Sequence, residues 1–391
     1  MTVPCIKVLH PITRLIIGGA QENTMLTADR LTHDPAYGGR YTADIVCGPQ
    51  TGPEGSLIEE VRRRHISLTI LDSLVRQIDL VQDLKTIVAL RDLMVRGNYK
   101  IVHTHSSKAG VLGRIAARLG RIPHIVHTVH GWSFNDQMSP PKHGLYVMLE
   151  KMAARCGHVM IAVHPRDIDK GLARGIGRRQ GYTVIRSGIE LDRFGHPQIE
   201  SDEIRKQLGI PPDVPIVGSV IRMSPQKAPL DLVDAFAHVY REQPQTWFVI
   251  VGDGPLRMQV KTQLRTLGIA QQTVLTGLRR DVPELIAIFD VFALSSLWEG
   301  LPRVLIQAMA TGLPIVCTQA DGTVEAVEDG VNGFLVSRGN SIAMGAHIIK
   351  LLLNPVIRKQ MGEAGRRRVS EFGVDKMVAD IDRLYIDLLD S

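Results

Sequence analysis

The chain has 391 residues, 44% hydrophobic and 22% charged, with 46 Lys and Arg against 40 Asp and Glu for a formal net charge of +6. That length exceeds one typical core and points to two domains, and the balance excludes a disordered chain. Apolar runs such as WFVIVG from Trp247 fall short of the roughly 20 residues a membrane-spanning helix needs, and MTVPCIKVLHP at the N-terminus lacks the basic region and long apolar stretch of a secretory signal.

In chain order, short β-branched runs alternate with helical stretches. CIKVLHP is followed by a helix near Gln21 to Leu31, then YTADIVCG, SLTIL, a helix through Leu90, YKIVHTHS, a helix through Leu119, and HIVHTVHG. VMIAV, a helix after Arg166 and YTVIRSGI complete a first unit. Polar residues and prolines interrupt the pattern from Phe194 to Val214 before it restarts with PIVGSVIR, a helix from Leu230, TWFVIVGDG, a helix through Leu267, TVLTG, VFALSS and LPIVCT. Such alternation predicts parallel sheets covered by helices, in two similar α/β domains: 1–195, and 196–373. The stretch 374–391, with Met377, Ile381, Leu384, Tyr385 and Leu388 at helical spacing, predicts an amphipathic helix in need of a surface.

Charge is uneven, with 26 basic against 17 acidic residues through Gly195 and 20 against 23 after it. Arg62, Arg63, Arg64, Arg174, Arg178 and Arg179 offer a face for anionic lipid headgroups or an acidic acceptor, or a plain solvated surface. Nucleic acid is disfavoured, because aromatics are not interleaved with the basic clusters. Cys5, Cys47, Cys156 and Cys317 form no Cys-x-x-Cys pair, so a reduced cytoplasm is expected, with the chain peripheral on the inner membrane face if it meets lipid.

In doubly wound sheets ligands collect at the carboxyl ends of the strands, and the candidate residues lie in such turns. SSLWEGLPRVLIQAMATGLPIVCT places Glu299 at the mouth of a short helix, with Pro302 suited to its first position and Gly312 to its end. Leu301 and Pro302 lie at that mouth, and Arg303 and Gln307, four apart, share one face. In GSVIRMSPQKAP, Arg222 and Lys227 can straddle a diphosphate, the one as a planar fork and the other as a point charge. Gly18 and Gly19 allow backbone to approach a phosphate, although the third glycine of a dinucleotide fingerprint is missing. Gly252, Gly254 and Gly277 permit tight turns, and Arg279 or Arg280 can line a base pocket. Taken singly, each of these also fits an ordinary turn or solvated loop.

Histidines crowd two strands: His103, His105, His124, His127 and His130. No Asp, Glu or Cys stands beside them as further ligands, so satisfied histidines at the sheet edge are expected and no metal site. His130 differs, since Gly131 follows it at the strand's end and its imidazole can reach a polar ligand.

HTHSSKAGVLGRIAARLGRIPHIVHTVHG, VIRSGIELDRF, GSVIRMSPQK, IVGDGP and SSLWEGLPRVLIQAMATGLPIV resemble, in order and spacing, the nucleotide-sugar glycosyltransferases of family 4, over nearly the whole chain. The resemblance implies facing Rossmann-like domains of GT-B type around a deep cleft, with a last helix crossing back to the first. The first domain would bind the acceptor and the second the donor. It further implies transfer with retention, no required metal or other cofactor, a nucleotide-sugar donor (a UDP-sugar first, GDP-mannose second) and a saccharide or lipid-linked saccharide acceptor. Carried over, Arg222 and Lys227 match the diphosphate-binding pair, Gly19 the loop over the phosphates, His130 the histidine near the sugar, and Glu299 the glutamate that bonds sugar hydroxyls. Gln307 stands where the family has a second glutamate for the ribose, Ala228 where it usually has glycine, and Ser187 where asparagine is usual. A non-catalytic sugar-nucleotide scaffold and a sugar-nucleotide epimerase are the competing readings. Apart from a plain weakening of ribose recognition, Gln307 is the motive for the first of them.

Overall fold

The computed structural model describes residues 5–50, 55–134 and 138–391. The chain forms two compact units, Met1–Gly188 with Val374–Ser391, and Ile189–Gly373. The boundary expected after residue 195 therefore falls seven residues earlier. Ile189 bridges to Gly373, and Phe194 is buried in the short helix that packs within the second unit.

Unit 1 runs β1 (Ile6–Ile12), α1 (Gly19–His33), β2 (Tyr41–Cys47), α2 (Ile58–Arg63), β3 (Leu68–Ile70), α3 (Leu80–Arg96), β4 (Ile101–His105), α4 (Ser107–Leu119), β5 (His124–Val129), α5 (Pro140–Ala154), β6 (Val159–Ala162), α6 (Pro165–Ala173) and β7 (Tyr182–Val184). Its seven-stranded sheet has the order β3-β2-β1-β4-β5-β6-β7, with every pairing parallel. Strand alternation sorts the apolar side chains into two layers. Val8, Ile45 and Ile101 enter one core with α1, while their neighbours Leu9, Val46 and Val102 enter the other with α3 and α4.

The last helix, α16 (Val374–Leu389), completes the first of these layers. Met377, Val378, Ile381 and Tyr385 are buried in the core that α1 shares. Polar contacts fix its register: Tyr41 donates to Asp382 at 2.7 Å, Arg40 to the same carboxylate at 2.8 Å, and the Gly188 N–H meets the Met377 sulfur at 3.0 Å. Ser187, in the departure from asparagine, accepts from Asn23 at 2.9 Å and is buried.

Unit 2 contains α7 (Asp192–Gly195), α8 (Ser201–Leu208), β8 (Ile216–Val220), α9 (Pro229–Glu242), β9 (Trp247–Val251), α10 (Arg257–Thr266), β10 (Thr273–Gly277), α11 (Val282–Ala287), β11 (Val291–Leu294), α12 (Arg303–Thr311), β12 (Ile315–Thr318), α13 (Thr323–Ala326), β13 (Gly333–Val336), α14 (Ser341–Leu353) and α15 (Pro355–Arg368). The sheet order is β10-β9-β8-β11-β12-β13, again all parallel. The segment expected to be interrupted holds α8, whose single buried residue, Ile204, leaves almost no periodic signal. In both sheets the chain winds outward from a central strand, returns, and winds the other way. The reversal lies between β1 and β4 in unit 1 and between β8 and β11 in unit 2.

Candidate active site

In unit 2 the reversal point carries the charged residues. Arg222 and Lys227 follow β8, and Glu299 follows β11, so all three stand at the carboxyl edge of adjacent strands. Lys227 Nζ pairs directly with Glu299 Oε1, and Ser296 Oγ donates to the same oxygen at 2.6 Å. Glu299 is 9% exposed, so two donors offset its removal from water. Backbone locks hold the two loops together: Ser295 Oγ donates to the carbonyls of Lys227 and Ala228 at 2.8 and 2.9 Å, Leu297 N to Gln226 O at 2.8 Å, and Gln226 Nε2 to Trp298 O at 2.9 Å. On the far side, Thr318 Oγ1 holds Ser296 O, and a Cβ at Gly322 would overlap Gly300 O at 1.1 Å. Only glycine lets that backbone close on the Glu299 turn.

Ala228 has φ 41°, in the left-handed region that costs an L-residue roughly 1 to 2 kcal/mol. The family's glycine at this position answers that geometry, and the chain tolerates alanine because the loop is locked through Ser295. Gly252 has φ 122° and backs onto Ile221 O, where a Cβ would come within 2.1 Å. At Gly254 a Cβ would come within 2.4 Å of Met223 O. Both turns thereby pack against the segment that carries Arg222.

Pro302 is extended and caps α12 rather than beginning it, a shift of one residue from the expected start, and Gly312 ends the helix at φ 82°. Leu301, Pro302 and Arg303 are buried. One helical turn on from Arg303, Gln307 holds a buried Oε1 without a hydrogen-bond partner among the described residues. A buried acceptor left unmatched costs free energy that a donor from a bound molecule would recover. Arg279 stands apart, after β10 and two strands from β8, with Nε donating to Asp281 Oδ1 at 2.7 Å. That guanidinium fork holds Asp281 below the usual carboxylate range.

In unit 1 Gly18 caps α1 with extended backbone and Gly19 begins it, both in the turn after β1. Beside that turn Thr13 Oγ1 and Ser106 Oγ lie 2.8 Å apart, joining the ends of β1 and β4. His103, His105 and His127 are not edge residues. They sit on the interior strands β4 and β5, fully buried, and burial pushes their pKa values well below the ordinary imidazole range. His103 bonds the Tyr385 hydroxyl and the Thr128 hydroxyl, each at 2.6 Å. His10 on β1 joins them, its Nδ1 3.0 Å from His105 Nε2, and His105 Nδ1 is 3.1 Å from His130 Nε2. Among the described residues His10, His103 and His105 form the one cluster whose spacing could suit a metal. Both ring nitrogens of His103 and of His105 are already engaged in hydrogen bonds.

Residues 200–368 match the family model described as glycosyl transferases group 1, and residues 36–188 match that of the glycosyl transferase 4-like domain. The chain is 30% identical to the UDP-Gal:alpha-D-GlcNAc-diphosphoundecaprenol alpha-1,3-galactosyltransferase of Escherichia coli, over 98% of this chain and 97% of that one. It belongs to the family 4-like glycosyltransferases. The N-acetyl-alpha-D-glucosaminyl L-malate synthase of Bacillus anthracis is 26% identical over 78% of this glycosyltransferase and 80% of its own length. The crystal structure of Anabaena HepE in complex with UDP and glucose superposes with a TM-score of 0.82, covering 98% of this chain and all of that one at 24% identity, and places the fold among the GT-B enzymes.

The structure of this glycosyltransferase brings Lys227 and Glu299 into contact, sets Arg222 and Gln307 on the flanking turn and helix, and ties His130 to the buried imidazoles. Sequence reasoning missed Ser295, Ser296, Gln226, Gly322 and His10. For the two serines the signal was present in VFALSS, small hydroxyls at a strand's end; for His10 it was a polar residue inside an apolar strand. Arg62, Arg63 and Arg64, offered above for an anionic surface or as a plain solvated face, pair with Glu59, Glu60 and Asp29. Among the described residues no helix is long and apolar enough to cross a membrane.

Proposed function

We propose that this glycosyltransferase moves a hexose, with retention, from a UDP-sugar to a lipid-linked saccharide or growing surface polysaccharide; GDP-mannose is the second donor. The observation that carries the reading is the Lys227 and Glu299 pair at the reversal point of unit 2, with a buried Gln307 Oε1, unmatched among the described residues, on the helix that follows. Arg222 and Lys227 take the diphosphate, Glu299 accepts from sugar hydroxyls, and Gln307 Oε1 accepts from a ribose hydroxyl while its amide nitrogen donates to the other ribose oxygen. His130 bonds the sugar, Gly18 and Gly19 approach the phosphates, and Gly252, Gly254, Leu301, Pro302 and Arg303 shape the nucleotide site. Arg279 is the residue least supported for that site, since it already forks onto Asp281. The relative's name gives a UDP-galactose donor and a diphosphoundecaprenol-linked acceptor, which supports this donor class and acceptor class.

In the step itself the bond from the sugar's anomeric carbon to the diphosphate oxygen breaks, and the diphosphate leaves with the electron pair. An acceptor hydroxyl bonds that carbon on the same face and passes its proton to a diphosphate oxygen. Arg222, Lys227 and the N-terminus of α12 stabilise the charge that develops, a contribution of roughly 10² to 10³ in rate per group removed. The cations at this edge can carry that charge without a metal ion.

The acceptor class implies a membrane, and the outer face of α3 supports one. Leu80 is 79% exposed and Leu84 65%, with Val81, Val88 and Val95 about half exposed or more. A Cβ on Gly120 would lie 3.2 Å from Val95, so exposed Leu119, Arg118 and Arg121 continue the same surface, and Lys85 flanks it. An apolar stripe with a cationic rim fits an anionic bilayer, whereas a second copy would set like charges against each other. Sedimentation with phosphatidylglycerol vesicles should pull down the wild type and not Leu84→Glu; equal recovery of both would sink this surface.

Thermal denaturation against a panel of nucleotide sugars tests the donor, since a ligand that binds only the folded state raises its stability. A UDP-hexose should raise the melting temperature and then release UDP when an acceptor is added. No shift with any nucleotide sugar would overturn the reading.

A further inference from the structure

Three imidazoles of unit 1 form a continuous line from the inside of the sheet to His130. His10 Nδ1 meets His105 Nε2 at 3.0 Å, and His105 Nδ1 meets His130 Nε2 at 3.1 Å. The inner two are 0% and 1% exposed. Burial pushes His10 down to about 3 and His105 well below the ordinary value, so both are neutral near pH 7 and each carries a single ring proton.

With the two inner rings neutral, the line has two consistent proton arrangements, because any mixture sets two protons or two lone pairs face to face. Either every ring is protonated on Nδ1 and donation runs outward from His10, or every ring is protonated on Nε2 and donation runs inward. The inner end distinguishes them. His10 Nε2 is buried and has no hydrogen-bond partner among the described residues. The inward arrangement would leave an N–H donor orphaned there, while the outward one leaves only a lone pair, and orphaned buried N–H groups are much the rarer of the two. His103 does not interrupt the line, since its nitrogens are taken by Tyr385 and Thr128.

We propose that His10 and His105 are positioning residues that lock His130 as the Nδ1–H tautomer, so that its Nε2 is occupied and neither nitrogen has a lone pair for an incoming proton. His130 then serves the reaction as a neutral hydrogen-bond donor and not as a general base. That consequence rests on the contact between His130 and the sugar proposed above; the tautomers themselves do not.

The test is long-range ¹H–¹⁵N spectroscopy of the full chain labelled with ¹⁵N-histidine at pH 7.5, with signals assigned through single His→Asn variants. Signals of His10, His105 and His130 should all show protonated Nδ1 and bare Nε2. His105→Asn, whose amide nitrogen replaces Nδ1 as donor, should keep the His130 pattern, and His105→Leu should convert it to a mixture of tautomers. With a donor in hand, His105→Leu should lower kcat by about tenfold more than it changes KM, with recovery in His105→Asn. An Nε2–H signal for His130 in the wild type, or zinc recovered one-to-one with the protein and lost in His10→Asn, would overturn the proposal; the wild-type spectrum decides even if the leucine variant does not fold. Should the tautomers hold while His130→Asn binds donor as well as the wild type does, the sugar contact fails and the lock stands.

Discussion

At the reversal point of unit 1, β1 and β4 meet through His10 and His105, two imidazoles closed off from solvent and neutral. At the same place in unit 2, β8 and β11 lead into Lys227 and Glu299, a charged pair in which the lysine side chain keeps 19% of its surface exposed. The topology is shared and the depth differs. Inside the sheet a polar side chain can only be stationary and uncharged; one turn beyond the strand ends it can hold a full charge and exchange its partner for a ligand's. A single architectural position therefore supplies a fixed support in one unit and an adaptable contact in the other.

Acid should break the symmetry most strongly. His10, His103, His105 and His127 are held neutral, with folded pKa values below the unfolded value near 6.5. Their contribution is complete above pH 6.5 and is lost as pH falls, because the unfolded chain then binds protons the folded one refuses, at about 1.4 kcal/mol per pH unit for each such group. Unit 1 should melt before unit 2 at pH 5, seen as two calorimetric transitions that merge at pH 8. A single transition at both values would contradict the contrast. Next in size, Lys227→Ala should cost about 10² to 10³ in turnover of an identified donor while leaving the unit 1 transition in place. Gln307→Glu offers the ribose a carboxylate in place of the unmatched amide oxygen and should tighten binding of the nucleoside diphosphate by about tenfold, measured by calorimetric titration. The smallest effect is Ala228→Gly, which relieves the left-handed backbone and should raise stability by about 1 kcal/mol, a shift of a few degrees in the unit 2 transition.

Legibility in the sequence followed the same division. Both sheets could be read from β-branched runs, and α12 from the proline and glycine that bound it, with Pro302 displaced by one position because it caps. What escaped was held by distant partners. His10 reaches His105 across 95 positions, and Gly322 closes on Gly300 through the β12 turn. Neither approach leaves a local pattern. The Arg62–Arg64 run shows both cases, since Glu59 and Glu60 stand three and four residues earlier in IEEVRRR, where helical spacing already pairs them, while Asp29 reaches Arg64 from 35 positions away. Ala228 and Gln307 were visible as departures from the family pattern. The backbone strain at one and the unmatched oxygen at the other needed the structure.

The placement of α16 also sets an order of manufacture. Unit 2 is one unbroken stretch, complete once Gly373 has been synthesised, whereas unit 1 keeps the apolar side of α1 uncovered until Tyr385 and its neighbours arrive. Emerging from the ribosome, the first unit begun is the last to be finished, and it waits behind 185 residues of its companion. A chain without α16 would leave that apolar surface open to aggregation, although every residue of unit 2 was in place.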